Sequence, residues 1–343
     1  MAISEGCTEG TLPAFGKSDP DEFRAFTCAN KSVVKKPKLV TLQEAVSCFV
    51  KDGDYVKLGG FGQVRTAMAA IFEIIRQKRR NLTVAGHTTS HDVDVLMAGG
   101  CVSRIEVAYS FGHEFRPSRS AVGPRLQKAG ALQISEWSNA SFAWRLKAAA
   151  MGLSFIPARF MLGTDTFRYS GAKQIKCPFT DKTYAALPAL YPDVAVIHVP
   201  RADKFGNAQI DGMIISDDDA ARAARRVILT AEEIVDTEVF AREPDRTVIP
   251  YYYTDAVVHA PFGSYPCEMP GHYWFDEFQI ADYLRATTNE AALAAYLEKF
   301  FFTPKTWQEH LEIAGGESRL ETLIDIAKNK VPPPSSSAVW GQS

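Results

Sequence analysis

The feature that most constrains the fold of this chain is a regular alternation of helix and strand patterns that begins near residue 39. Five short apolar runs have the length and composition of buried strands, at 55–58, 82–85, 105–111, 132–135 and 155–157. Stretches with helical apolar spacing lie before or between them, at 41–50, 67–76, 93–98, 122–129 and 142–151. Helix and strand in turn, with short connections, predict an α/β fold with a mostly parallel sheet covered by helices on both faces.

The second half of the chain is less regular. Further strands are predicted at 194–199, 227–230 and 256–259, and a helix at 218–226. The segment 243–272 is dense in Pro, Tyr and Gly, which is typical of a long structured loop. Two helical patterns, 280–300 with a break near Thr287 and 319–328, predict a helical C-terminal region.

Both ends of the chain differ in composition from the part between them. Residues 1–38 are polar, rich in Gly, Ser and Pro, and lack apolar periodicity, so we expect a flexible arm or a strap on a partner. Residues 331–343 contain a Pro/Ser run and are expected to form a disordered tail. One domain is therefore predicted over 39–330.

Composition and charge exclude several classes of function. The formal net charge of -2 gives no basic field for a nucleic-acid backbone. The sequence contains neither an apolar run of the roughly 18 residues that span a bilayer nor an apparent leader, so no membrane partner and no export are expected. The six cysteines are scattered without a CxxC pair, which favours the reducing cytoplasm.

Polar residues and glycines follow four consecutive predicted strands, at the point where each strand ends. Three glycines in four positions follow the first strand and would let the backbone approach a ligand and direct amides at an oxyanion or carboxylate. Ligands of open parallel sheets bind beyond the carboxyl ends of the strands, so we expect the four loops to form one site. The candidate site residues are Gly59, Gly60, Phe61, Gly62, Thr88, Ser90, His113, Glu114, Ser138 and Asn139.

Simpler interpretations of these residues remain open at this point. The glycine loop has neither GxGxxG nor GxxxxGK[ST] spacing, so it could be only a turn and does not predict nucleotide binding. His87 and His91 have an i, i+4 spacing, but the residues between them do not favour a helix and no third ligand is evident, so no metal site is predicted. Glu114 could instead pair with Arg116 or Arg119 on the surface.

Several ordered motifs resemble the α subunits of family I coenzyme A transferases, and in particular the glutaconate branch. The similarity extends from about Leu39 to Gly316. The matching segments are Lys51–Tyr55 leading into Gly59–Gly62, then 142–157, Met161–Asp165, Pro178–Phe179, Tyr191–His198 and Asp203–Asn207.

The resemblance implies an enzyme that moves CoA between an acyl-CoA and a mono- or dicarboxylic acid, without a permanently bound cofactor. A homologous β subunit, commonly in an α2β2 assembly, would supply a nucleophilic Glu from a Glu-x-Gly motif for ping-pong chemistry. This chain contains no Glu-x-Gly, which fits an α subunit. Its loops would hold the carboxylate substrate and complete an oxyanion hole.

Two alternatives follow from the same resemblance. Some relatives with this fold hydrolyse or decarboxylate CoA thioesters, and a glutamate of their α subunits in a Gly-x-Glu context is then the base. Gly112-His113-Glu114 matches that context, so Glu114 is the candidate catalytic residue. The second alternative is a non-catalytic binding module, although the polar first 38 residues do not fit the helix-turn-helix of such regulators.

Overall fold

The computed structural model describes residues 10–12, 14–110 and 119–340. Its strands are β1 (Tyr55–Leu58), β2 (Leu82–Thr88), β3 (Val102–Tyr109), β4 (Gln133–Glu136), β5 (Phe155–Ala158), β6 (Lys173–Lys176), β7 (Thr183–Pro188), β8 (Val194–Ala202), β9 (Ala208–Gln209), β10 (Arg226–Ile234), β11 (Thr247–Ile249) and β12 (Ala256–His259). Its helices are α1 (Pro20–Asn30), α2 (Leu42–Phe49), α3 (Met68–Arg76), α4 (His91–Ala98), α5 (Val122–Lys128), α6 (Asn139–Ala150), α7 (Asp165–Arg168), α8 (Asp217–Ala223), α9 (Thr237–Arg242), α10 (Glu277–Thr287), α11 (Glu290–Leu297), α12 (Trp307–Ile313), α13 (Gly316–Ala327) and α14 (Ser336–Trp340). A 3-10 turn at Pro244–Arg246 and a π-helical segment at Glu298–Phe302 complete the set.

The main sheet is mostly parallel, which confirms the predicted fold class. Parallel pairing joins β4, β3, β2, β1, β8, β10 and β12 in that spatial order. Short strands β9 and β11 extend the sheet in antiparallel fashion beside β8. The chain leaves β1 towards β2 on one side and later returns to its other side as β8, so the end of β1 is a topological switch point.

Two hydrophobic cores cover the two faces of this sheet. Successive residues of a strand point to opposite faces. In β1, Val56 and Leu58 join the core under α3, α4 and the C-terminal helices, whereas Tyr55 joins the core under α6 and α8. The helices of the predicted C-terminal region therefore cover one face of the main sheet. Within this region, α10 and α11 are separated at the predicted break near Thr287.

A second sheet of three antiparallel strands, in the order β5-β7-β6, does not follow from the sequence pattern. The prediction that 155–157 belongs to the series of parallel strands is wrong, because β5 pairs with β7 instead. A short apolar run has the same pattern in either sheet, so periodicity alone could not distinguish the two.

Regular structure also occurs at both ends of the chain, where the sequence predicts none. Helix α1 begins at the N-cap Asp19, whose side chain accepts hydrogen bonds from two backbone amides. No residue of α1 is fully buried. Its Phe23 ring lies 4.8 Å from that of Tyr191. At the other end, Val339 of α14 is buried and its carbonyl accepts a 2.5 Å hydrogen bond from Arg285 of α10.

Candidate functional site

The glycine loop, defined as residues 59–62, follows β1 at the switch point of the sheet. Gly60 has a φ of +77°, in the left-handed region that favours glycine. A Cβ at this position would lie 2.4 Å from the carbonyl oxygen of Val64 and 2.6 Å from that of Arg65. The loop therefore requires glycine at position 60 because its own backbone occupies the space of a side chain.

All four backbone amides of the glycine loop donate hydrogen bonds to acceptors within the chain. Gly59 donates to the carbonyl oxygen of Val196 at 2.9 Å, Phe61 to that of Val64 at 3.0 Å, and Gly62 to that of Thr88 at 2.7 Å. The amide of Gly60 donates to the Asp217 carboxylate at 3.1 Å. The structure does not support our expectation that these amides point at an oxyanion. The loop offers a ligand its outer surface and the Phe61 side chain instead.

A buried ion pair fixes the inner side of the loop. Arg65 donates to Asp217 at 2.8 Å, and both side chains are about 1% exposed. Arg65 also donates to the carbonyl oxygen of Met213 at 2.5 Å. One carboxylate, in the first turn of α8, thus binds both the loop amide and the guanidinium. No local sequence pattern reveals this pair, because Asp217 lies 152 residues beyond Arg65.

His87 connects the glycine loop to the ends of two helices. Its Nε2 lies 2.9 Å from the hydroxyl of Ser216, just before α8, and its ring centroid is 6.4 Å from that of Phe61. Asn139, the first residue of α6, lies close to the same ring. Burial, together with the nearby charge of Lys57, lowers the pKa of His87 to about 3. The imidazole is therefore neutral at ordinary pH and acts as a hydrogen-bonding link, not as a cation.

The other predicted site residues have different placements. Thr88 and Ser90 are buried at the end of β2 and the start of α4, beside the loop. The Ser138 hydroxyl accepts from the amide of Ser141 at 3.1 Å and caps α6, which gives it a structural role. His113 and Glu114 lie outside the described residues.

His87 and His91 do not converge, despite their spacing. The ring of His87 packs against Phe142 of α6 at 4.7 Å, whereas that of His91 packs against Tyr283 of α10 at 4.9 Å. Within residues 10–12, 14–110 and 119–340, no group of three or more His, Cys, Asp or Glu side chains is arranged to hold a metal ion. In the same part of the chain, no helix is long and apolar enough to cross a membrane.

An open cavity of about 480 Å³ lies on the outer side of the glycine loop and is called the loop cavity below. Residues 61–64 form one wall, and Trp274 and Phe275 form another. Met213, Glu268, Glu277 and the prolines at 333–334 complete the lining. The loop cavity is thus a recess next to the switch point, and a small molecule in it would contact Phe61 and Gly62.

A glycine loop at the switch point of an open parallel sheet, with a cavity beside it, defines an α/β protein of the kind that binds small molecules at the carboxyl edge of its strands. The sequence pattern of the family described as coenzyme A transferase matches residues 39–260. The chain belongs to this coenzyme A transferase family.

The chain is similar to two CoA-transferases and to one decarboxylase. It is 34% identical to a 3-oxoadipate CoA-transferase subunit of Pseudomonas knackmussii, over 82% of this chain and 99% of the relative. The crystal structure of glutaconate coenzyme A-transferase from Acidaminococcus fermentans matches with a TM-score of 0.79 at 31% identity, covering 83% of this chain and 95% of the other. The decarboxylase AibA/AibB matches with a TM-score of 0.68 at 32% identity, covering 77% and 99%.

Proposed function

We propose that this chain is the α-type subunit of a coenzyme A transferase that moves CoA from an acyl-CoA to a carboxylic acid, and that a β-type subunit completes its site. The main support is the loop cavity beside the glycine loop, in a chain of this family that lacks the Glu-x-Gly nucleophile motif. One relative is itself named as a transferase subunit, and another is one member of a two-protein pair. The scattered cysteines favour a cytoplasmic complex, and α2β2 is the expected assembly.

The proposed reaction uses a carboxylate of the partner as nucleophile. That carboxylate attacks the acyl-CoA carbonyl, the CoA thiolate leaves, and a mixed anhydride forms. The thiolate then attacks the enzyme carbonyl of the anhydride, which releases the first acid and leaves an enzyme–CoA thioester. The second acid reverses the same steps. This chain would seat the acyl group in the loop cavity and hold it against Phe61 and Gly62.

Two exposed apolar side chains in the segment just before α8 support a partner at this position. Met213, which lines the loop cavity, is 51% exposed, and Ile215 is 39% exposed. Both belong to the segment before α8, whose Asp217 binds the glycine loop. A β-type subunit that covers this segment would exclude water from the acyl group and bring its nucleophile to the open side of the cavity.

Dependence on the partner is the direct test. The isolated chain should catalyse no CoA transfer from acyl-CoA donors to carboxylic acids, whereas a complex co-expressed with a β-type subunit should. Treatment of the working complex with borohydride and an acyl-CoA should trap the enzyme–CoA thioester on a Glu of the β subunit. Robust transfer by the isolated chain would contradict the proposal, as would a complex that turns over without a thioester.

A decarboxylase or hydrolase of CoA thioesters is the second candidate. It is favoured by the similarity to a decarboxylase and by the Gly112-His113-Glu114 motif. Glu114 would then be the general base, and Glu114→Gln should lower kcat by roughly 100-fold or more. In a transferase the same change should act mainly on KM, because an orienting group would be lost. If this variant kept the wild-type kcat and KM, Glu114 would have no role in the site.

A further inference from the structure

The segment 31–38, called the basic strap below, presents apolar side chains to solvent between lysines. Val33 and Val34 are 78% and 67% exposed. Lys35 and Lys36 follow them and are exposed as well, and within the described part of the chain neither forms an ion pair with a carboxylate. Exposed aliphatic side chains next to free cations suit a surface that is itself apolar and acidic.

The basic strap is fixed to the domain at both ends. Lys31 forms an ion pair with Asp255, and Lys38 donates a hydrogen bond to the carbonyl oxygen of Thr254 at 2.6 Å. Because its ends are held, the strap loses little conformational freedom when another surface covers it, which favours binding.

A groove of about 560 Å³ between α12 and α13 has the complementary character and is called the acidic groove below. Its lining includes the apolar side chains of Phe262, Leu311, Leu320 and Ile324 and the carboxylates of Glu312, Glu317 and Glu321. All three carboxylates belong to exposed residues, and none of the described lining residues is Lys, Arg or His. Arg319 of α13 does not line the groove, and its guanidinium donates to Asp276 at 2.9 and 2.5 Å.

A largely apolar recess of about 550 Å³, called the linking recess below, joins these two surfaces. Leu39, which follows the basic strap directly, lines the recess, as do Ala260 and Trp307. The next residues in the chain, Pro261 and Gln308, line the acidic groove. The basic strap, the linking recess and the acidic groove are therefore contiguous.

We propose that two copies of this chain associate about a two-fold axis at the linking recess, with the basic strap of each copy in the acidic groove of the other. The valines of the strap then meet an apolar floor, and its lysines meet the carboxylates of the rim. A two-fold contact is self-complementary, so a face that carries both a strap and a groove closes into a dimer.

This contact is separate from the proposed CoA transfer and does not depend on it. The strap and the groove both lie outside residues 39–260, the part of the chain that matches the family pattern. In the expected α2β2 assembly, the contact would join the two copies of this chain.

The oligomeric state of the isolated chain is the first test. Sedimentation velocity should show a dimer at low salt, and raising the NaCl concentration from about 0.05 M to about 0.5 M should weaken it at least tenfold, because salt screens exposed charges. A chain that stays monomeric up to about 100 μM would overturn the proposal. A dimer whose Kd does not change with salt would do so too.

Charge reversal tests which surfaces meet. One variant carries Lys35→Glu with Lys36→Glu, and the other carries Glu317→Lys with Glu321→Lys. In each variant alone the strap and the groove have charges of the same sign, so the dimer should weaken at least tenfold. An equimolar mixture of the two should dimerise again, because both contacts of the mixed pair join opposite charges. Variants that remain dimeric alone, or a mixture that remains monomeric, would overturn the proposal.

The matched control reverses two exposed charges that line neither surface, by Lys128→Glu with Glu298→Lys. This variant should dimerise as the wild type does. Val34→Asp tests the strap at an exposed position that does not contribute to the core, and it should also weaken the dimer at least tenfold while the unfolding transition in urea stays unchanged. Wild-type dimerisation of Val34→Asp would contradict the placement of the strap in the groove.

Discussion

At the scale of single residues, the glycine loop depends on the space at Gly60. Gly60→Ala places a Cβ 2.4 Å from a backbone oxygen at a positive φ, so the loop must move. Left-handed backbone alone costs about 1–2 kcal/mol for alanine, and we expect a larger total loss together with loss of CoA transfer by the complex. Gly53→Ala is the control, since Gly53 also has a positive φ but open space around it. Equal stability and activity of the two variants would contradict this account.

The ion pair of Arg65 and Asp217 gives a second prediction. Asp217→Ala leaves a buried guanidinium without its partner and a loop amide without its acceptor, and should lower the free energy of unfolding by roughly 3–5 kcal/mol. Asp325→Ala removes an exposed pair with Lys330 and should cost about 1 kcal/mol or less. Urea denaturation of both variants measures the difference, and a similar small cost for each would refute the role of the buried pair.

These contacts mark the limit of what sequence can predict at this scale. The position of the glycine loop follows from three glycines after a strand, and Gly60 does occupy a glycine-only conformation. The acceptor of its amide does not follow, since nothing local relates Gly60 to Asp217. The sequence therefore predicts that these amides bind a ligand, whereas in the structure they donate hydrogen bonds within the chain.

At the scale of elements, helix α1 tests whether the N-terminal arm is fixed to the domain. The Asp19 carboxylate accepts from the amides of Asp21 and Glu22, at 2.9 and 3.3 Å. Asp19→Ala should destabilise the first turn by about 1 kcal/mol and speed hydrogen exchange of the α1 amides by several-fold. The amides of α2, capped independently by Thr41, serve as the control in the same sample. Unchanged exchange in α1 would show that Asp19 does not cap it.

The elements that the sequence predicts correctly combine a strong apolar pattern with burial in the core. Helix α2 has a capping residue and an apolar face, and β1 to β4 are apolar runs between helices, so pattern alone located them. Helix α1 has no fully buried residue and is held by contacts such as that of Phe23 with Tyr191. Tertiary contacts of this kind leave no periodic signal in the sequence.

At the scale of the whole molecule, buried histidines should make stability depend on pH. His310 is 4% exposed, stacks on Trp307 at 4.7 Å, and donates through Nδ1 to the carbonyl of Phe300 at 2.6 Å. Burial lowers the pKa of His310 to about 4, and burial with the charge of Lys57 lowers that of His87 to about 3. Two buried carboxyls act in the opposite sense, because burial raises the pKa of Asp92 and of Asp94 to about 6.

The sign of each contribution follows from which state binds the proton. An unfolded histidine takes up a proton near pH 6.5, whereas folded His310 does so only near 4, so its contribution to stability is present above pH 6.5 and is lost as the pH falls. The slope is at most about 1.4 kcal/mol per pH unit for one group. His310→Gln should remove this contribution, so its free energy of unfolding should fall less between pH 6.5 and 4.5 than that of the wild type. The aspartates titrate in both proteins and cancel in the comparison; parallel pH profiles from urea denaturation would show that His310 is protonated equally in both states.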